Sequence, residues 1–372
     1  MKTVLVTGSK GFIGKNLMVA LRRYEGLSIV EFDLGDSDEA LALGLSSADI
    51  VFHLAGVNRP QNPEEFTSGN LGLTEHIIEL VRNREHAPPI IMTSSIQAEL
   101  DNPYGTSKRA AEQALEEYRK ETGNNICIYR LPNVFGKWCR PFYNSVVATF
   151  CHNLTHNEPI SVSDPAREIH FIYIDDVVAT LMRHLDNGSP YQVEPVVPGP
   201  THAVTLGTLA SILTKCRDVR AGGLLPDLSN KLEKYLYSTF VSYYEKEAIK
   251  YSAEKKEDAR GYLFELIKTE SAGQIFVSRT LPGITRGNHY HDTKIEKFCV
   301  LEGSALIRLR NMITNELNEL RVEGHDCTIV DIPPGWSHSI TNIGTTDLIT
   351  LFWANEVFDP VHPDTYYSEV AT

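Results

Sequence analysis

Tyr104 and Lys108 have the types and spacing of a proton-transfer pair. They stand four apart in "YGTSK", so on a predicted helix both side chains share one face. An ammonium beside a phenol favours the phenolate, so we expect Lys108 to bring the pKa of Tyr104 towards neutrality. Ser94 and Ser95 end the preceding strand, "PIIMTSS", and can polarise a carbonyl group. The pattern favours acid–base chemistry at a carbonyl oxygen, and its alternative is a solvated helix face.

A second group of residues has the side chains of a metal site: His289, His291, Glu296 and His338. Two of the histidines form an HxH pair on one strand face, the glutamate follows after a turn, and "PPGWSH" supplies the last ligand. This set suits zinc, with nickel, iron or manganese as alternatives. Four protein ligands favour a structural ion, whereas an expanded site with water allows chemistry. We expect Lys294, inside this group, to be a solvated residue of the turn rather than a base.

A third pattern, "TGSKGFIG", lies between a predicted strand and a helix that begins near Phe12. Its glycines permit a tight turn and a close backbone approach to a pyrophosphate, whose charge the helix N-terminus favours. We expect the loop to bind a dinucleotide through Gly8, Lys10, Gly11, Phe12, Ile13 and Gly14.

The choice between the two nicotinamide cofactors stays open in the sequence. Asp33 ends the second predicted strand, where a carboxylate accepts hydrogen bonds from the adenosine ribose and repels a 2′-phosphate. Lys10, inside the glycine loop, can instead reach a 2′-phosphate. Asp33 therefore favours NADH, and Lys10 favours NADPH.

The elements that must position these groups change along the chain. Strands such as "TVLVT", "DIVFHLA" and "NICIYRL" alternate with helical patterns, which predicts a parallel sheet covered by helices. Short strands separated by Gly, Pro and Asn turns follow later and predict an antiparallel barrel or jelly roll. We expect an α/β Rossmann-type domain at 1–245, a polar connection at 246–254 and an all-β domain at 255–372.

Bulk properties exclude several classes of protein. A chain of 372 residues is too long for one core, since single cores stop growing at about 250–300 residues. The net charge of −13 disfavours nucleic acid or an anionic membrane as the main partner. Six cysteines without a CxxC pair, and no signal peptide or long apolar run, predict a soluble cytoplasmic protein.

The first part of the chain resembles the extended short-chain dehydrogenase/reductase family. The resemblance rests on TGxxGxxG at Thr7 to Gly14, "HLAG" at His53 to Gly56, Ser95 before "YGTSK", and "RLPNVFGKW" at Arg130 to Trp138. It implies a nucleoside-diphosphate sugar as substrate and a catalytic trio in which Tyr104 protonates the substrate carbonyl. The implied residues are Ser95, Tyr104 and Lys108 for catalysis, Leu54, Ala55 and Gly56 for the cofactor, with Lys108 also on the nicotinamide ribose, Asn133 for the substrate and Arg167 for its diphosphate.

The last part resembles the cupins. The motif G(X)5HXH(X)4E(X)6G is met from Gly283 to Gly303, and PxG at Pro333 to Gly335 is followed by His338 and Asn342. The resemblance implies a jelly-roll barrel that binds a metal through the histidines and the glutamate. Cupins include enzymes, storage proteins and sensors, so this fold alone does not settle an activity.

Both parts together resemble one bifunctional family of capsular-polysaccharide and O-antigen enzymes, on the route to UDP-N-acetyl-L-fucosamine. Further matches are "HLAGVNRP", "LYSTFVSYY", "GNHYHDTKIEKF" and "FDPVHPDTYY". The resemblance implies that the cupin epimerises carbon 3 of a UDP-2-acetamido-2,6-dideoxy-4-hexulose. The reductase then uses NADPH to make UDP-2-acetamido-2,6-dideoxy-L-talose. It also implies zinc and a homodimer formed through the cupin.

Two rival hypotheses differ in class. In one, the chain is a single-activity 4-ketoreductase whose cupin is a structural, dimerising module. In the other, the protein is a nucleotide-sensing regulator whose cupin binds a small effector.

Overall fold

A computed structural model describes residues 1–186, 191, 194–221, 225–252, 256–258, 261–263, 273–356 and 361–370. The chain divides into two compact units. The first comprises Met1–Ser145 and Ile169–Ala203, and the second comprises Val146–Glu168 and Val204–Thr372.

The strands and helices of the described residues have the following bounds. The strands are β1 Lys2–Thr7, β2 Leu27–Phe32, β3 Ile50–His53, β4 Ile90–Ser95, β5 Ile126–Leu131, β6 Asn133–Phe135, β7 Glu168–Tyr173, β8 His202–Thr205, β9 Lys250–Ser252, β10 Lys256–Asp258, β11 Gly261–Leu263, β12 Gln274–Thr280, β13 Thr285–Tyr290, β14 Glu296–Glu302, β15 Ser304–Asn311, β16 Leu317–Glu323, β17 Thr328–Ile332, β18 Trp336–Asn342, β19 Leu348–Ala354 and β20 Tyr366–Tyr367. The helices are α1 Phe12–Arg22, α2 Asp38–Ser47, α3 Glu64–Phe66, α4 Leu73–Arg82, α5 Pro103–Thr122, α6 Val146–Thr155, α7 Ile174–Met182, α8 Leu206–Asp218 and α9 Lys231–Val241.

The first unit is built on a parallel sheet with the strand order β2-β1-β3-β4-β5. Its central strands are apolar on both faces, and β3 and β4 are buried throughout, because helices cover the sheet from both sides. In the sheet, β2 lies on one side of β1 and β3 lies on the other. The connections that follow β1 and β3 therefore run in opposite directions, which opens a crevice at the carboxyl ends of these two strands. Parallel sheets of this kind bind ligands in such a crevice.

Helix α5 carries the predicted proton-transfer pair, and its ends are set by local sequence. Asn102 caps the N-terminus by accepting a hydrogen bond from Gly105 N, and Pro103 occupies the first turn, where no N–H is needed. Gly123 ends the helix in the left-handed conformation, with a φ of 75°. A short segment with a 3-10 turn at Ile96–Glu99 joins the end of β4 to the Asn102 cap, so Tyr104 is held close to Ser95.

The second unit contains two five-stranded antiparallel sheets, β12-β19-β14-β17-β9 and β16-β15-β18-β13-β20. The Rossmann-type parallel sheet and the cupin jelly roll predicted from the sequence are thus confirmed. The expected domain limits themselves stay a prediction. Strand β9, inside the expected connection 246–254, pairs with β17, and helices α6, α8 and α9 group with the barrel.

Each of the helices that the structure describes is too short or too polar to cross a membrane.

Candidate functional sites

The glycine loop after β1 is so tight that side chains are excluded from it. Gly8 has a φ of 70°, and a Cβ there would lie 2.7 Å from Ala55 N. At Gly14 a Cβ would lie 2.0 Å from Gly8 O, where α1 passes over the loop. The loop therefore presents backbone and the N-terminus of α1, a surface that fits a pyrophosphate.

The loop lines a cleft of about 570 Å³, a volume typical of small-molecule sites. Most of the residues predicted from the sequence meet there: Gly8, Lys10, Gly11, Phe12, Ile13, Gly14, Leu54, Gly56, Ser95, Tyr104, Lys108 and Asn133. Ala55, Asp33 and Arg167 are not among its lining residues. The Ala55 amide lies 3.3 Å from Thr7 Oγ1, within hydrogen-bond distance.

Asp33 ties the glycine loop to the end of β2. Its carboxylate accepts hydrogen bonds from Lys10 N at 2.6 Å and from Leu34 N at 2.8 Å. Half of its acceptor capacity is thus used inside the protein, while the Lys10 side chain lines the cleft. Asp33 has a structural role here whichever cofactor binds.

Arg167 is exposed and lies in the second unit, and its predicted contact with a diphosphate stays a prediction. Asn133, in contrast, lines the cleft and donates from Nδ2 to His170 O at 3.3 Å. Its amide is therefore oriented by the neighbouring strand β7.

Ser95, Tyr104 and Lys108 converge at the floor of the cleft. The Ser95 hydroxyl lies close enough to the Tyr104 phenol to lower its pKa, and the buried Lys108 donates from Nζ to Thr93 O at 3.0 Å. Burial lowers the pKa of Lys108 to about 8, against the opposing effect of Glu112. Burial raises the pKa of Tyr104, an effect partly offset by the neighbouring Ser95 hydroxyl, so the expectation that Lys108 shifts this pKa towards neutrality is wrong.

Beneath the trio lies a buried ion pair that the sequence does not reveal. Glu112, one turn beyond Lys108 on α5, accepts hydrogen bonds from Arg130 Nε at 3.0 Å and Nη2 at 2.6 Å, and from Ser94 Oγ. Arg130 also contacts Glu99 at 3.0 Å. The ion pair fixes β5 against α5, and the Ser94 hydroxyl bond fixes the end of β4 against α5; together these partners stabilise the buried Glu112 carboxylate.

The cleft also contains residues that sequence reasoning missed. Trp138, Arg140 and Tyr143 line it from the loop after β6, with the Arg140 guanidinium 5.5 Å from the centre of the Tyr143 ring. Trp138 has a positive φ of 67°, which places it on an irregular loop. The signal was a cluster of aromatic and basic residues directly after a predicted strand. With Lys10 and Lys15, Arg140 makes the cleft basic in an acidic protein.

In the second unit the structure brings together the four predicted metal ligands. His289 lies on β13 and pairs across the sheet with His338 on β18, while Glu296 begins β14. One ligand atom from each of the four residues, including His291, lies within 4.8 Å of the others. A tetrahedral zinc ion would need ligand atoms about 3.4 Å apart, so these side chains would have to move only slightly closer together to bind it.

The electrostatics of this group fit a cation. His291 Nε2 and His338 Nε2 lie 3.3 and 3.1 Å from Glu296 Oε2, and both buried nitrogens lack a hydrogen-bond partner among the described residues. Burial lowers the pKa of His289 to about 4, so its imidazole is neutral. Burial alone would raise the pKa of Glu296, but the facing imidazoles of His291 and His338 hold it well below its usual range, so the carboxylate is ionised. Burial acts to lower the pKa of His291, whereas Glu296 raises it, so a cation and a proton compete for this imidazole.

Family models match most of the chain. Residues 4–194 match the NAD dependent epimerase/dehydratase family, and residues 256–366 match the polysaccharide biosynthesis C-terminal domain.

Individual proteins match the full length of this chain or its first part. UDP-2-acetamido-2,6-beta-L-arabino-hexul-4-ose reductase of Pseudomonas aeruginosa is 44% identical over 371 residues, which cover 99% of this chain and 98% of that protein. The crystal structure of the capsular polysaccharide assembling protein CapF from Staphylococcus aureus matches with 44% identity and a TM-score of 0.67, over 98% of this chain and 99% of that one. UDP-glucuronate 4-epimerase 1 of Arabidopsis thaliana is 26% identical over 59% of this chain and 66% of its own. The full-length matches are thus to proteins that carry both parts.

Proposed function

We propose that this chain, which belongs to the NAD dependent epimerase/dehydratase family, reduces the 4-keto group of a UDP-linked 2-acetamido-2,6-dideoxy sugar. The observation that carries the proposal is the convergence of Ser95, Tyr104 and Lys108 in the cleft lined by the glycine loop. The Pseudomonas aeruginosa protein, 44% identical, is named as a reductase of such a 4-keto sugar. The product would be UDP-2-acetamido-2,6-dideoxy-L-talose, an intermediate for capsule or O-antigen synthesis.

The side chains of the cleft supply the proton for this reduction. A nicotinamide cofactor, when bound, supplies the hydride that reaches the carbonyl carbon. The Tyr104 O–H then donates its proton to the oxygen, where negative charge develops, and Ser95 stabilises the same oxygen by a hydrogen bond. The raised pKa of Tyr104 suits this direction, because the phenol is protonated at neutral pH. Lys108, charged below about pH 8, stabilises the phenolate that is left.

The cofactor in this proposal is NADPH, with NADH as the alternative. Lys10 and Lys15 line the cleft and can pair with a 2′-phosphate, whereas the Asp33 carboxylate is engaged by the backbone of the glycine loop. The repulsion between the Asp33 carboxylate and the 2′-phosphate of NADPH is therefore reduced. Comparing kcat/KM for the two cofactors tests this choice.

The cupin, in the same proposal, epimerises carbon 3 of the 4-keto sugar before the reduction. A ketone acidifies the neighbouring C–H, so a base can remove and return the proton. A divalent cation such as Zn²⁺, held by His289, His291, Glu296 and His338, would supply Lewis acidity or rigidity. The match of residues 256–366 to a polysaccharide biosynthesis domain supports a role in the same pathway.

Two assays on the full chain separate the activities. Without cofactor in deuterated water, the 4-keto sugar should gain deuterium at carbon 3; with NADPH, the cofactor should be oxidised in step with alcohol formation. Cofactor oxidation without deuterium incorporation would favour a single-activity reductase with a structural cupin. Binding of the sugar nucleotide without turnover in either assay would favour a regulator.

The proposal includes a homodimer formed through the cupin and a cytoplasmic location. Strand β12 is the last described strand of its sheet, and its Ile275 and Val277 side chains are each 58% exposed, an edge that a second copy can cover. The six cysteines are free thiols, as expected in a reducing compartment. Ile275→Asp should shift the molar mass measured by light scattering from dimer to monomer, whereas an unchanged dimer would exclude this edge.

A further inference from the structure

A segment near the C-terminus lies against the turn that carries the metal ligand His291. We call residues 361–370 the C-terminal strap and His291–Lys294 the ligand turn. The strap contains β20, which pairs antiparallel with β13, so that Tyr367 stands opposite His289. The strap is thus the sheet neighbour of a ligand strand.

Asp364 is the centre of this contact. Its carboxylate accepts backbone hydrogen bonds from Asp292 N at 2.9 Å, Thr293 N at 2.9 Å and Lys294 N at 2.7 Å, and one from Thr293 Oγ1 at 2.9 Å. One residue therefore satisfies every backbone N–H from 292 to 294.

The same residue orients a metal ligand through its backbone. Asp364 O accepts a hydrogen bond from His291 Nδ1 at 2.5 Å. This bond places the proton on Nδ1 and leaves Nε2, which faces Glu296, free to bind a cation. Asp364 has a φ of 38°, an uncommon conformation for a residue with a side chain, so the carboxylate bonds also hold the carbonyl in place.

The ligand turn holds the strap in return. Lys294 donates from Nζ to Pro363 O at 2.6 Å and lies 3.3 Å from Thr365 Oγ1. With an exposed fraction of 5%, Lys294 is buried, so the expectation of a solvated lysine is wrong. Each side of the contact thus satisfies polar groups of the other, and removing either side leaves buried donors unpaired.

The strap also reaches the backbone beside two further ligands. Ser368 N donates to Asn288 O at 2.8 Å, next to His289, and Ser337 Oγ, next to His338, donates to Ser368 O at 2.5 Å. Docking of the strap consequently fixes the backbone beside three of the four ligands.

From these contacts we propose that Asp364 is a positioning residue of the metal site, and that docking of the C-terminal strap and binding of the cation are linked equilibria. The inference rests on the proposed metal site. If a docked strap raises the affinity for the cation, a bound cation must favour the docked strap by the same factor.

Metal affinity of matched variants gives the first test. Asp364→Asn removes the charge and half of the acceptor capacity, whereas Glu369→Gln removes a charge from an exposed side chain of the same strap. We expect Zn²⁺ affinity, measured by competition with a chromophoric chelator, to fall about 10- to 100-fold in Asp364→Asn and to stay unchanged in Glu369→Gln. Equal affinities in both variants would overturn the inference.

Hydrogen exchange in the wild-type protein gives the second test and needs no variant. We expect saturating Zn²⁺ to slow amide exchange in residues 361–370 and 292–294 compared with the metal-free protein. A purely structural strap would exchange at the same rate in both states, and that result would overturn the linkage even if Asp364→Asn lowered stability. Wild-type protein that binds no Zn²⁺ would refute the proposed metal site itself, which is a different outcome.

Discussion

The catalytic residues in the cleft of the first unit are positioned by elements close in sequence, whereas the metal ligands of the second unit are positioned by elements far apart in sequence. Ser95, Tyr104 and Lys108 lie on β4 and α5, which are separated only by a short segment with a 3-10 turn, so one cap and one short connection place them. The four metal ligands lie on three strands, β13, β14 and β18, and in the turn after β13, and their support comes from the strap, more distant still in sequence.

Because of this difference, we expect substitutions to affect the two sites in different ways. The cleft is held by regular secondary structure and a buried ion pair, so single substitutions there should change chemistry or pH dependence with the fold intact. The metal group depends on cross-strand register and on a docked segment, so substitutions there should change affinity and local order together.

The largest effect is expected for Tyr104→Phe. The variant lacks the proton donor, and general acid catalysis contributes about 10²- to 10⁴-fold, so kcat for 4-keto sugar reduction should fall by that factor. NADPH affinity and zinc content should stay at wild-type values, which would show that the two sites work independently. A variant that keeps more than about a tenth of wild-type kcat would remove Tyr104 from its role.

His338→Ala tests the other site. Loss of one buried ligand, with a carboxylate left facing it, should remove most of the zinc found by elemental analysis, while NADPH affinity stays unchanged. His325→Ala is the matched control, because that side chain is 80% exposed and lies outside the ligand group. Full metal occupancy in His338→Ala would contradict the ligand assignment.

Glu112→Gln should alter the pH dependence of reduction. The Glu112 carboxylate raises the pKa of Lys108, which burial has lowered to about 8. Without it Lys108 loses its proton at lower pH, so the alkaline limb of kcat/KM should move to lower pH and activity at pH 8 should fall a few-fold. Glu117→Gln, on the exposed face of α5, should leave the profile unchanged. An alkaline limb that does not move would indicate that Lys108 is not the titrating group.

The smallest effect is expected for Lys10→Ala. Lys10 is an exposed side chain at the rim of the cleft, and exposed charges contribute little, so the KM for NADPH should rise about two- to fivefold. The KM for NADH, which lacks the 2′-phosphate, should not change. A parallel rise for both cofactors would assign Lys10 to the pyrophosphate instead.

Much of the candidate cleft could be predicted because its motifs are local. Glycine spacing, the strand before "YGTSK" and the spacing from Tyr104 to Lys108 each depend on one turn or one helix. The resemblance to the bifunctional family, stated from such motifs, is confirmed by 44% identity over 99% of the chain. Arg167 is not part of a local motif of this kind, and its predicted role stays a prediction.

By itself, the sequence determined which residue types stand at which spacing, and thereby the order of the two folds and both candidate sites. Only the tertiary structure decided how those residues behave. Burial raises the pKa of Tyr104, Lys294 is enclosed, and Asp364 reaches the ligand turn from about 70 residues away. Burial and long-range hydrogen bonds depend on which distant segments meet, and no local spacing encodes that.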